Sequence, residues 1–316
     1  MLLSCTDAGR PEDSHLTATR KRLRRTTSRK LLIFTAGLTA AFALLYGWLL
    51  YLLTHPSAPE DVVRPEQFLL PHKDVKWSSL DGTIVMGWFI AGQRGAPLLV
   101  LCHGVGANRT ASLNLATTLK ESGYNVLLMT LRGHGENQAM FTLGWKEAED
   151  MNTGIQTVLS TEKVDPLRVG VWGVTAGGFA ALKAAEGSDK IAACVLDSVY
   201  DNVEQYVGMQ LRERLNFDQP WARRLLGFGL GRLIGAKESD LHRSIDIPKM
   251  INVAMLFVHS IDDSDVNSET LKLYSLARGK KNLITFAKTR KSILVGGEIK
   301  LYDSKVLEFF RDTLPI

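Results

Sequence analysis

Five consecutive residues, Gly173-Val174-Thr175-Ala176-Gly177, set the chemical question. An apolar, β-rich run precedes them and an alanine-rich helical pattern follows, so the pentapeptide reads as a tight turn between strand and helix. A hydroxyl raised on such a turn is where a nucleophile would attack a carbonyl carbon. A second segment, LLVLCHGVGAN from Leu98 to Asn108, ends an apolar run on His103-Gly104 and a glycine-rich loop. A third, TLRGHGEN, runs from Thr130 to Asn137, and a fourth, FVHSIDDSDV, brings three carboxylates to the end of an apolar run. Hydroxyl and carboxylate are parts of acyl-transfer chemistry.

These parts need a scaffold. Residues 75–78 and 84–90 alternate about an Asp81-Gly82 turn, which predicts a hairpin. Further strands are predicted at 98–102, 126–130, 168–172, 191–196, 254–259 and 283–286. The helices between them are predicted at about 110–121, 145–160, 176–186, 267–277 and 299–312. Alternation of this kind implies an α/β fold, a mostly parallel twisted sheet with helices on both faces. Residues 201–247 break the rhythm with two amphipathic, strandless runs and read as a helical lid insertion. Three cysteines with no CxxC or Cys/His spacing predict neither a disulfide framework nor a metal site. No cofactor is expected.

In this order and spacing, the four segments and the tail KVLEFFRDTL resemble the α/β-hydrolase fold over about residues 72–314. The likeness is to membrane-anchored, single-domain serine hydrolases of the Bem46-like and dipeptidyl-peptidase-like esterase kind. The resemblance implies oxyanion N–H groups at Val105 and Ala176. It puts the nucleophile position at Thr175, where the family has serine. The family pattern G-x-x-D-x-x-V falls on Ser260 to Val266, so the acid is Asp263, with Asp262 and Asp265 as alternatives of register. The family's G-x-G-H falls on residues 288–291, so Lys291 occupies the place of the base. Thr130 and Asn137 also depart from the family's D-x-R-G-x-G-x-S turn.

The departures at the triad change the chemistry. An elbow nucleophile has φ > 0, which a β-branched residue tolerates poorly. Its extra methyl also sits where a substrate carbonyl would approach. None of the seven histidines lies beyond His259. A free lysine titrates near 10.4, so only about 10⁻³ to 10⁻⁴ of it is neutral at pH 7. Asp263 beside it would favour the charged form, so the two are better suited to an ion pair than to a proton relay. His103 is expected to support the oxyanion loop, His134 to line the pocket mouth, and His242 to be a solvated lid residue. Asp197 reads as a cap or lid-hinge residue. Asn108-Arg109-Thr110 is a glycosylation sequon, but its place against the oxyanion loop predicts no glycan.

Charge and hydropathy add an anchor. The 316-residue chain has a net charge of +5, and residues 1–55 carry all of it, eight Lys+Arg against three acids. Residues 56–316 are balanced at 30 of each, which removes the basic face a nucleic-acid-binding domain needs. Residues 31–53 form 23 consecutive residues without a charge. As a helix they would span about 34 Å, enough for a hydrocarbon core of about 30 Å. Seven cations lie between Arg20 and Lys30, just before the span, and Glu60 and Asp61 follow it, so the positive-inside rule predicts a single pass with the N-terminus cytoplasmic and the domain on the trans side. The domains expected are a basic tail at 1–30, disordered over 1–19, an anchor at 31–53, a linker at 54–71 and a hydrolase domain at 72–316. The function predicted is a membrane-anchored pseudo-hydrolase binding an acyl or ester-like ligand or a partner. The alternative is an active ester or thioester hydrolase using Thr175.

Overall fold

The structure, a computed structural model, describes residues 12–56, 63–236, 246, 252–261, 264–288, 294 and 296–316, with side chains from residue 29 onward except at 264–267. The chain divides into two compact units, Met1–Leu49 and Leu50–Ile316.

Helix α1 spans Glu12–Thr54. No proline interrupts it, and its Leu, Ala, Arg and Lys residues are good helix formers. Residues 12–19, predicted as a disordered tail, are therefore helical. Within α1, Arg29–Thr54 is long and apolar enough to cross a membrane by length and composition. Phe34, Leu38, Phe42 and Leu45 are exposed along it. The second unit takes in the last turn of the apolar run. Leu50 and Leu53, one turn apart on one face, are buried. The Thr54 carbonyl accepts from Phe141 N–H at 3.2 Å.

That second unit is built on an eight-stranded sheet of order β1-β2-β4-β3-β5-β6-β7-β8. The strands are β1 Lys73–Ser78, β2 Ile84–Ile90, β3 Leu98–Cys102, β4 Asn125–Met129, β5 Val169–Val174, β6 Ile191–Asp197, β7 Ala254–Ser260 and β8 Lys281–Phe286. The β1–β2 and β2–β4 pairs are antiparallel and the rest parallel. The fully apolar runs form the central strands, every residue of β3 and β5 being buried, as two covered faces require. Helices α2 Leu113–Glu121, α3 Trp145–Thr161, α4 Ala176–Glu186, α7 Ser264–Leu276 and α8 Gly297–Thr313 connect and cover the strands. Leu99, Leu101, Trp172 and Val195 on one face pack with α2 and with Tyr302 and Phe310 of α8. Because side chains alternate along a strand, Val100, Cys102 and Val171 serve the other face, where α3 packs on α4 and α4 on β5 and β6. Cys102 and Cys194 are free and buried on β3 and β6.

The strandless insertion forms two helices, α5 Val203–Leu215 and α6 Pro220–Ile234. Asn202 caps α5, its side chain accepting from Gln205 N–H, and Pro220 opens α6 where its missing donor costs nothing. Residues 237–245 and 247 of the predicted lid, His242 among them, lie outside the described residues.

Candidate active site

The parallel strands deliver their loops to one edge of the sheet, which is where the chemistry collects. β5 ends at Val174, α4 begins at Ala176, and Thr175 between them has φ 48° and ψ −112°. That is the strained turn predicted, here held by a β-branched residue. Two glycines make it possible. A Cβ on Gly173 would sit 2.3 Å from the Gly177 carbonyl oxygen, and one on Gly177 would sit 2.4 Å from that of His103. The turn is tied down on both sides. Thr175 N–H donates to the Asp197 carbonyl, and the Thr175 carbonyl accepts from Phe179 N–H, both at 2.9 Å.

The loop after β3 faces this turn. Val105 N–H donates to Thr175 Oγ1 at 3.4 Å, a long bond by ordinary standards. Gly104 permits the approach, since a Cβ there would lie 2.9 Å from Thr175 Oγ1. Ala176 is the first residue of α4, so its N–H is among those a helix leaves without an internal acceptor. The two positions the resemblance assigned to oxyanion binding thus flank Thr175.

Both nearby histidines hold the loop and neither is a base. His103 is buried, its Nδ1 bonded to the Gly104 carbonyl at 2.8 Å and its Nε2 accepting from Leu131 N–H at 3.2 Å. Burial, then the neighbouring His134, lowers its pKa to about 3. His134 does not line the pocket mouth as predicted. It is fully buried, with Nδ1 on the Arg132 carbonyl at 2.7 Å and Nε2 accepting from Gly106 N–H at 3.1 Å. Gly106, on the loop after β3, meets it there, and the flanking Gly133 and Gly135 are both at positive φ. Burial lowers its pKa to about 4.

Arg132, from the same segment, makes a bidentate clamp on Asp150 of α3, at 2.7 and 2.6 Å, and reaches Asp81 in the β1–β2 turn at 2.6 Å. Its burial opposes the charge, but the two carboxylates win and raise its pKa further. Asn108 is buried and accepts from Thr110 N–H through its side chain, which fits an unmodified sequon. Asp197, the last residue of β6, is fully buried. Its carboxylate accepts from Tyr302 Oη at 2.7 Å and Ser198 Oγ at 2.8 Å, and Tyr302 Oη also receives Trp172 Nε1–H at 3.0 Å. This buried relay lies beneath the elbow and was not visible in the sequence, because it joins strands and a helix far apart in the chain.

Asp262, Asp263 and Lys291, and hence the predicted Asp263–Lys291 ion pair, lie outside the described residues. Asp265 falls in the first turn of α7. Among the described residues no group of His, Cys, Asp and Glu is arranged to hold a metal ion.

Beside Thr175 opens a cavity of about 640 Å³, within the usual range for small-ligand sites. Its walls include Val105, Val174, Leu294 and, from the lid helix α5, Tyr206, Met209 and Gln210. The Tyr206 hydroxyl is buried and has no hydrogen-bond partner among the described residues. Its ring packs on Phe141 and Tyr200. The lid residues escaped prediction because amphipathic periodicity says that a helix has an inner face, not what that face meets.

Comparison with known proteins agrees with the architecture. The sequence profile of the prolyl oligopeptidase family matches residues 110–292. The chain is 24% identical over 220 residues to the uncharacterised protein YfhR of Escherichia coli, covering 67% of this chain and 70% of that one. It is 28% identical over 118 residues to the thiohydrolase aneE of Aspergillus aculeatus, covering 36% and 37%. Among solved structures, an esterase of Pyrococcus furiosus superposes with a TM-score of 0.63 at 19% identity, covering 83% of this chain and 98% of that one.

Proposed function

This chain belongs to the prolyl oligopeptidase family, and from that premise we propose that it is a membrane-anchored α/β-hydrolase-fold protein that binds an acyl or ester-like ligand with little or no turnover. One observation carries the reading. Thr175 Oγ1 is met by a backbone amide and, among the described residues, by no base. Both ring nitrogens of His103 and of His134 are committed to other groups, and no histidine follows His259. A nucleophile and its base act as a unit, so losing the base removes most of what the nucleophile contributes. What remains is the elbow, the loop amides and the cavity, which suit binding a carbonyl compound.

The location belongs to the same proposal. The apolar part of α1 anchors the chain, the cations at 20–30 keep the N-terminus cytoplasmic, and the domain faces the trans side. The electrical balance of residues 56–316 argues against nucleic acid as a partner, while the cavity and the apolar part of α1 support a small ligand and the membrane.

A second reading is an active ester or thioester hydrolase using Thr175. The fully formed elbow favours it, as do relatives named an esterase and a thiohydrolase. The deciding experiment is hydrolysis of p-nitrophenyl butyrate and of a short acyl thioester by the full chain in lipid nanodiscs. The expected rate equals the blank and is unchanged by Thr175→Ala. A rate above blank that Thr175→Ala abolishes selects the second reading. The paired change Thr175→Ser with Lys291→His is expected to raise ester hydrolysis by about 10²-fold or more, the usual worth of a positioned general base.

A further inference from the structure

Helix α6 is apolar on both of its faces. Ala222, Leu226, Leu230 and Ile234 point inward and are buried. Trp221, Leu225, Phe228 and Leu233 are nonetheless exposed, Trp221 at 61% and Phe228 at 47%. Positions 221, 225 and 228 recur at the helical spacing, so they form one stripe rather than scattered residues. Leu215 and Phe217 in the α5–α6 connection extend it, with Phe217 edge-on to Trp221 at 6.1 Å. Contiguous exposed apolar surface of this kind marks a contact with something else.

Charge says what kind of surface would cover it. Helix α6 carries Arg223, Arg224 and Arg232 and no acidic residue. Arg223 is engaged by Asp218. Arg224 and Arg232 are exposed, and the Arg232 guanidinium lies over the Phe228 ring at 5.5 Å. Arginines flanking a Trp/Leu/Phe stripe fit the boundary between acyl chains and anionic headgroups.

The folded unit is also tied to the end of the apolar helix. Arg214, in the last turn of α5, donates to the Leu52 carbonyl at 3.1 Å. Leu50 and Leu53 are buried in the same unit.

We infer that the outer face of α6 is a second membrane contact, lying in the headgroup–acyl boundary of the bilayer that α1 enters. The inference rests on the reading of α1 as an anchor given above. α5 packs on α6 while lining the cavity with Tyr206 and Met209. The cavity's lid is therefore the element that touches lipid, and its acyl ligand is one supplied by the membrane.

The test uses the full chain with Cys5→Ser, one molecule per nanodisc of mixed phosphatidylcholine and phosphatidylglycerol. An environment-sensitive fluorophore is placed by Phe228→Cys, by Phe42→Cys in α1, or by Leu167→Cys on an exposed loop remote in sequence. Quenching is measured with acyl-brominated lipids and with aqueous iodide. The expected result is lipid quenching of the labels at 42 and 228, and iodide quenching alone at 167. Adding Arg224→Glu and Arg232→Glu should remove most of the lipid quenching at 228. If the label at 228 is as open to iodide as that at 167 while the label at 42 is lipid-quenched, the docking of α6 is overturned and the anchor stands. Protection from iodide without lipid quenching at 228 means a protein covers the stripe and also overturns the inference. No lipid quenching at 42 overturns the anchor, and the inference with it.

Discussion

Val105 N–H points at Thr175 Oγ1 from 3.4 Å, a long contact that joins the loop after β3 to the turn after β5. For Thr175 to act as a nucleophile, its hydroxyl would turn toward a base and leave the amide for substrate. Thr175 is buried although it stands at the edge of a cavity.

The backbone at Thr175 is expected to cost stability. A β-branched residue at φ 48° is strained by about 1–3 kcal/mol. Thr175→Gly should therefore raise the unfolding free energy by about 1 kcal/mol, after the greater freedom of glycine in the unfolded chain is subtracted. Chemical denaturation of the two proteins in the same detergent measures it, and a destabilised variant would show that the Thr175 side chain contributes packing that outweighs the strain.

Much of this was legible in the sequence, for reasons that differ by residue. The runs that became β3 and β5 are buried on both faces, so their apolar composition alone marks them. Thr175 stood out because a strand, two glycines and a helix constrain one position between them. The inward turn of His134 was not legible, because it depends on Gly106 arriving from another loop to donate to it. The Asp197–Tyr302–Trp172 relay was hidden for the same reason, its members lying on β6, α8 and β5. Periodicity reports local faces, whereas these contacts are set by the order of strands in the sheet.

Arg132 is expected to be costly to remove. It is buried against Asp150, whose side chain is wholly inaccessible. Arg132→Ala would strand that carboxylate and should cost about 3–5 kcal/mol. Arg132→Ala with Asp150→Ala should cost clearly less than the sum of the two single changes, because no charge is then left unpaired. A double-mutant cycle by denaturation reads this coupling directly.

Acid should destabilise the domain, and Glu147 should soften the effect. The folded-state pKa values of His103 and His134 are lowered to about 3 and 4. Their stabilisation is complete above the unfolded value near 6.5 and is lost as the pH falls through that value toward 4. Glu147 has the opposite sign. Burial raises it to about 7 despite bonds from Thr142 and Gly144 N–H. Its contribution is present below its ordinary value near 4.5 and is lost as pH rises through 7. Between pH 4.5 and 6.5 the two histidines outweigh the one carboxyl, a net difference of about one proton. Glu147→Gln should make it about two and roughly double the fall in stability per pH unit. The slope of unfolding free energy against pH is the readout, so a constant loss from the substitution does not obscure it. An unchanged slope would mean that Glu147 is ionised in the folded protein.

Tyr206 links stability to ligand binding. A buried hydroxyl without a partner costs about 1–3 kcal/mol, and that of Tyr206 lines the cavity beside Thr175. Tyr206→Phe should thus stabilise the ligand-free protein by about 1 kcal/mol or more, since the ring contacts with Phe141 and Tyr200 are kept. The same change should weaken binding of an acyl compound whose oxygen reaches that hydroxyl, by about tenfold if one neutral hydrogen bond is lost. Isothermal titration of full-length protein with octanoate and with its methyl ester, set beside the denaturation midpoints, gives both numbers. Opposite signs for stability and affinity would identify Tyr206 as a ligand-binding group. Loss of stability without loss of affinity would make it an ordinary core residue whose hydroxyl has another role.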